Sequence, residues 1–144
     1  MPPPSVAVEV VIDDRGSSGR GRITVLTLLW APEDPLAVEI LLVAQPDHPA
    51  LPRGRWVVLR DFLRYGLDEP TGDGEVRISP DPARGRVRLD LARSGRDASV
   101  TVPRATVLAF LEQTERAVPS GTERSEDAID ALLTRLLGTQ PPDS

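Results

Sequence analysis

Three carboxylate pairs, Asp13–Asp14, Glu33–Asp34 and Asp68–Glu69, and a single histidine, His48, are the residues whose types suit acid–base or metal chemistry. Paired carboxylates can supply a general acid and base, or hold a hard cation, when both face one cleft. Each pair here stands in a turn beside glycine or proline, where acids are ordinarily solvated, and no nucleophile accompanies them at a readable spacing. His48 lies in a proline-bounded loop with only Asp47 next to it, so a solvated imidazole is expected rather than a Ser–His–Asp arrangement. Gly19-Arg-Gly21 and Thr71-Gly-Asp-Gly74 invite comparison with phosphate-cradling loops, yet both lack the remaining glycines, the lysine and the following helix of a nucleotide fingerprint. Thr71–Gly74 reads instead as a tight turn that launches a strand. With no cysteine and one histidine, thiol catalysis, disulfides, zinc ribbons and iron–sulfur clusters are excluded. The residues therefore point away from an enzyme: no catalytic, cofactor-binding or metal-ligating set is assigned, and no cofactor is expected.

The 17 basic residues, all arginine, face 22 acids, for a net charge of −5. A pI near 4.9 disfavours polyanions such as nucleic acid or acidic lipid as partners of the whole surface. The opening Met1-Pro-Pro-Pro-Ser5 has neither the basic nor the apolar region of a signal peptide, and the most apolar stretch, Leu36 to Ala44, is interrupted by Glu39. A cytoplasmic protein is the expectation. At 144 residues one domain spanning 1–144 is expected, large enough to bury a core without staples. The proline-rich ends, 1–4 and 139–144, have no apolar anchor and should be poorly ordered.

The elements follow from periodicity. Val6 to Ile12 alternates as a half-buried strand, and Arg22–Trp30 and Leu36–Val43 are two further strands joined by the short loop Ala31-Pro-Glu-Asp-Pro35. Arg55–Leu59 is a fourth strand, followed by a short helix over Arg60–Tyr65 that Gly66 is placed to stop. Glu75–Ser79, Arg86–Leu91 and Ala98–Val102 alternate strictly and form an antiparallel meander. A helix then starts at Pro103, and a second, from near Ser125 to Gly138, sets Ile129, Leu132, Leu133, Leu136 and Leu137 on one stripe that must dock on something. The fold class is α+β: about seven antiparallel strands in two groups, forming a twisted, barrel-like sheet, with one short helix between the groups and two carboxyl-terminal helices.

Strands 22–30 and 36–43 are apolar on both faces. One face carries Leu26, Leu28 and Trp30; the other carries Ile23, Val25, Leu29, Leu41 and Val43, which are the candidate oligomer interface. The alternative is that the two terminal helices and the 60–65 turn cover this second face. Charge is also segregated. Residues 77–104 hold seven arginines against three aspartates, whereas residues 112–130 hold six acids against two arginines, a division that suits docking to other proteins. The basic meander contains no Phe, Tyr or Trp to stack on bases.

The run Trp56-Val-Val-Leu-Arg-Asp-Phe-Leu-Arg-Tyr-Gly-Leu-Asp-Glu-Pro-Thr-Gly-Asp-Gly-Glu-Val-Arg77 resembles the signature of the SsgA-like proteins of actinobacteria, and Ala105 to Glu123 resembles their carboxyl-terminal segment. The sharpest matches are Arg60-Asp61, Gly66-Leu67, Pro70, Gly72, Gly74, Val118-Pro119 and Gly121-Thr122, and the order of elements is similar over residues 5 to 138. The proline-led start departs from the usual beginning. What the resemblance implies is a non-enzymatic regulator of sporulation-specific cell division. Members act as adaptors at septum sites, the SsgB type helping to recruit and organise the tubulin-like division protein FtsZ and the SsgA type helping to position it. It also implies a homotrimer of whirly-like fold. Relatives of that fold bind single-stranded nucleic acid, which makes such binding the alternative function, one that the acidity and missing aromatics oppose. The family offers no catalytic residue, and no partner-binding residue is assigned.

Overall fold

The computed structural model describes residues 5–14, 22–44, 54–72, 74–93, 96–120 and 126–137. The expected loose ends at 1–4 and 139–144, the Gly19-Arg-Gly21 motif and the loop that holds His48 lie outside the described residues. The strands are β1 (Val6–Asp14), β2 (Arg22–Ala31), β3 (Asp34–Ala44), β4 (Gly54–Leu59), β5 (Val76–Asp81), β6 (Arg86–Arg93) and β7 (Arg96–Pro103). The helices are α1 (Arg60–Tyr65), α2 (Arg104–Ala117) and α3 (Glu126–Leu136).

All strand pairing is antiparallel, but it makes two sheets rather than one barrel-like sheet. β1-β2-β3-β4 form a four-stranded sheet and β5-β6-β7 a three-stranded one. The two antiparallel groups with a short helix between them are as expected, and their closure into one barrel-like sheet is corrected. Between β4 and β5 the chain leaves the first sheet through α1 and a turn, so the next strand begins on the other side of the core instead of beside its predecessor.

Alternation decides which residues meet there. In β2 and β3, Leu26 opposes Leu42 and Leu28 opposes Ile40, and all four are buried together with Trp30 and Val38. β4 adds Trp56 and Val58. The second sheet turns Val76, Ile78, Val87, Leu89, Leu91, Val100 and Val102 toward them, while α1 and α2 contribute Leu63, Val107, Phe110 and Leu111 to the same cluster. Burying a Leu, Ile, Val or Phe side chain contributes about 1.5–3 kcal/mol, so this shared interior is what holds two unpaired sheets together.

The turn after α1 sets their spacing. Gly66 does not stop the helix by a left-handed conformation, as expected of a capping glycine; its φ is −64°. It is required for a different reason. A Cβ at Gly66 would lie 2.2 Å from Cγ2 of Ile78, so α1 reaches β5 only because position 66 has no side chain. Farther along, Gly72 has φ +101°, and Thr71 and Ile78 exchange backbone hydrogen bonds of 2.8 Å in both directions. This is the tight turn that launches the second sheet.

The last helix departs from expectation. α3 lies on the outer face of β3, away from the shared core. Among its described residues it buries Ala128 and Leu132, while Ile129, Leu133, Leu136 and Leu137 stay 43%, 49%, 49% and 78% exposed. With Arg135 held on Asp34 and Glu39, the helix is rotated so that the centre of the expected stripe points away from the sheet. The sheet takes the edge nearest Leu132.

Candidate interaction surfaces

The outer face of the four-stranded sheet is built from the odd positions of β2 and β3. Val11, Val25 and Val43 form one row across β1, β2 and β3; Glu9, Thr27, Leu41 and Arg55 form the next, and Ala7, Leu29, Glu39 and Val57 the third. Four of the candidate interface residues, Val25, Leu29, Leu41 and Val43, therefore share one face. Ile23 follows in register opposite Asp13, its side chain outside the described residues. The valine row is the open end: Val11 is 66% and Val43 55% exposed, and β-branched side chains in direct cross-strand contact make a flat apolar surface.

The opposite end of this face is closed by α3. Arg135 points down from the helix and its Nε stands 3.1 Å from Oδ2 of Asp34, while its guanidinium also donates to Glu39. Glu39 in turn lies 3.4 Å from Nε of Arg55. Asp34 belongs to a pair expected to be solvated, and the structure corrects this. Burial pushes its carboxyl above the ordinary value, with Arg135 pulling it partly back, and its Oδ1 is buried without a hydrogen-bond partner among the described residues. An open pocket of about 280 Å³ sits beside this network, lined by Ser5, Leu29, Trp30, Asp34, Glu39 and Arg135 among others. Both of its carboxylates are engaged by the arginine, so the arrangement is that of a clamp on a helix rather than a nucleophile with its base. One signal in the sequence marks it: Glu39 interrupts the most apolar strand, and a carboxylate there needs a cation from another element.

Of the other carboxylate pairs, Asp68 and Glu69 are exposed, Asp68 accepting from Arg104 at 3.2 Å. Those of Asp13 and Asp14 have side chains outside the described residues. No group of three or more His, Asp or Glu among the described residues is disposed to hold a metal ion.

α1 and α2 are tied along one seam. Arg64 of α1 donates to Asp61 at 2.9 Å and to Glu115 of α2, and Arg104 at the start of α2 donates to the Leu67 carbonyl. Glu115 also accepts from the backbone N–H of Ser120 at 2.9 Å and from its hydroxyl. Against the upward pull of partial burial, these bonds and the positive charges of Arg64 and Arg60 hold Glu115 below the ordinary range. Beneath the seam, the buried Arg60 guanidinium lies 5.5 Å from the ring centre of Trp30, a cation–π contact.

On the outer side of the three-stranded sheet, the basic meander is internally engaged. Arg88 donates to Asp90 at 2.9 Å, and Arg86 donates to the hydroxyl of Thr101 at 2.9 Å and to its carbonyl at 3.0 Å. Arg77, Arg88 and Ser99 are exposed there. With no aromatic platform among them, this face lacks the stacking surface of a single-strand binder, and nothing supports the nucleic-acid alternative.

Among the described residues, no helix is long and apolar enough to cross a membrane. Residues 24–123 match the family described as "Streptomyces sporulation and cell division protein, SsgA". The sporulation-specific cell division protein SsgB of Kineococcus radiotolerans is 33% identical over 136 residues, 92% of this chain and 79% of that protein. A solved structure from work on SsgB mutations that correlate with longitudinal cell division during sporulation of Streptomyces coelicolor superposes with a TM-score of 0.66 at 31% identity, covering 83% of this chain and 92% of that one. The SsgA-like sporulation-specific cell division protein of Thermobifida fusca superposes with a TM-score of 0.68 at 25% identity, covering 94% and 98%. The overall fold is thus shared with these relatives, and the chain belongs to the SsgA family of sporulation and cell division proteins.

Proposed function

We propose that the protein is a non-enzymatic, cytoplasmic adaptor of sporulation-specific cell division that works at septum sites by protein–protein contact, helping to recruit or organise FtsZ. It does so as a homo-oligomer, a trimer of whirly-like subunits, assembled through the outer face of β2 and β3. The observation that carries this reading is the valine row Val11–Val25–Val43: an exposed apolar surface in register across three strands, on a protein whose relatives are named for cell division. Contiguous exposed apolar side chains are what an interaction surface needs, and Val11 and Val43 flank the half-buried Val25 on this row. Asp34 and Asp68, one acid from each of two candidate pairs, are engaged by arginines, in line with a docking protein.

The test is localisation of a fluorescent fusion in dividing cells of a sporulating host, with FtsZ sought among the proteins that co-purify with it. Fluorescence at septa together with captured FtsZ is the expected result. Diffuse fluorescence and no capture of FtsZ would overturn the adaptor reading.

A further inference from the structure

α3 carries a second apolar face that the fold leaves open. Ala128 and Leu132 are buried against β3, and Arg135, one turn beyond Leu132, is clamped to Asp34 and Glu39. Those three positions, at i, i+4 and i+7, fix the rotation of the helix. Ile129, Leu133, Leu136 and Leu137 are then held on its flank, each between 43% and 78% exposed. The helix cannot roll to bury them without pulling Arg135 from two largely buried carboxylates, which would leave those charges without their cation.

The rim of this stripe is acidic. By helical spacing, Asp130 borders the apolar flank on one side and Glu126 stands at its amino end, and both are exposed. Arg135, the one base of α3, is turned to the sheet. We infer that the α3 flank is a docking site for an amphipathic helix of another protein whose apolar stripe is bordered by Arg or Lys. An 11-residue helix presents about 16 Å of length, and side chains at i, i+4 and i+7 are the pattern by which one helix lies along another. Charge selects the occupant. Packing two copies of α3 in parallel through this flank brings the acids together, an antiparallel pair offers them no free cation because Arg135 is clamped, and an anionic surface is repelled by them, whereas a basic rim is attracted. This inference rests on the adaptor reading and names the surface and chemistry through which it would act.

The probe is a fluorescein-labelled helical peptide of about five turns, with leucine on one stripe and arginine on its borders; its control carries glutamate on the borders. Anisotropy titrations against the whole protein should show the arginine-bordered peptide binding at least about tenfold more tightly than the control, with salt weakening it. The variant Leu133→Gln/Leu136→Gln should lose at least about tenfold in affinity while its circular dichroism is unchanged, both residues being exposed. No binding, equal binding of the two peptides, or undiminished binding to the variant overturns the proposal. A protein whose mass by light scattering falls when the two leucines are replaced also overturns it, since a second copy then covers the flank. Capture of FtsZ from cells by wild type and variant alike sinks this site and leaves the adaptor standing. Capture by neither, with peptide binding intact, sinks the adaptor and leaves the site.

Discussion

Trp56 of the four-stranded sheet donates its indole N–H to the backbone carbonyl of Ala92 in the three-stranded sheet at 3.0 Å. No ladder among the described residues joins the two sheets, so this bond and the surrounding apolar packing register them. Trp56→Phe keeps most of the packing and removes the donor. A loss of about 1–2 kcal/mol in unfolding free energy is expected, measured by urea denaturation. An unchanged midpoint would mean that packing alone aligns the sheets.

Gly66 is tested the opposite way, by adding one methyl group. The new Cβ meets Ile78 well inside van der Waals contact, and overpacking of this kind costs about 1–3 kcal/mol. Gly66→Ala should lower the thermal midpoint accordingly. Since φ at this position suits any residue, a neutral outcome would show that α1 moves away from β5 without cost.

Neighbouring leucines on α3 should behave differently. Leu132 is 9% exposed and Leu133 is 49% exposed. Replacing Leu132 with alanine should cost about 2 kcal/mol, the lower end of the range for buried leucines, because the site lies at the edge of the molecule. Leu133→Ala should stay within about 0.5 kcal/mol of wild type. Equal losses in calorimetry would place the helix in a different rotation.

Removing the clamp gives a pH-dependent result. Asp34 already titrates above its ordinary value because of burial, and Arg135 opposes that rise. In Arg135→Gln the opposition is gone, so the folded-state value climbs further above that of the unfolded chain. A carboxyl raised in this way destabilises the fold where it is ionised and is relieved as pH falls through the folded value. The variant should therefore be about 1 kcal/mol less stable near pH 7, a modest figure because the Arg135 side chain is 38% exposed. The deficit should shrink as pH is lowered through the range above 3.8. Melting curves across that range check it; a deficit independent of pH would assign the loss to packing instead.

Self-association is tested at Val43. This side chain is 55% exposed in the single chain, so a glutamate there leaves the fold intact, whereas inside an assembled interface an unpaired carboxylate is costly. Val43→Glu should reduce the mass seen by light scattering with the circular dichroism spectrum unchanged. A wild type already monomeric at micromolar concentration would remove the assembly from the proposed function.

Much of this structure is determined locally. Alternation over 22–30, 36–43 and 86–91 assigns each residue to one of two faces because the strand period is two, and the candidate interface residues Val25, Leu29, Leu41 and Val43 fall on one face for that reason. α1 occupies Arg60–Tyr65, as read from the residues before Gly66. The tertiary structure decided the rest. The change of strand pattern on either side of α1 marks two groups of strands, but whether those groups join into one barrel-like sheet depends on where the chain crosses the core, which Gly66 against Ile78 helps to fix through a contact between residues twelve apart that no periodicity encodes. Which side of α3 is buried was equally undetermined, since Leu132 and Leu133 are alike in composition and adjacent in sequence. Arg135 chose between them by reaching Asp34 and Glu39, about a hundred residues earlier in the chain, and a pairing at that separation exists only once both elements have been placed on the same face.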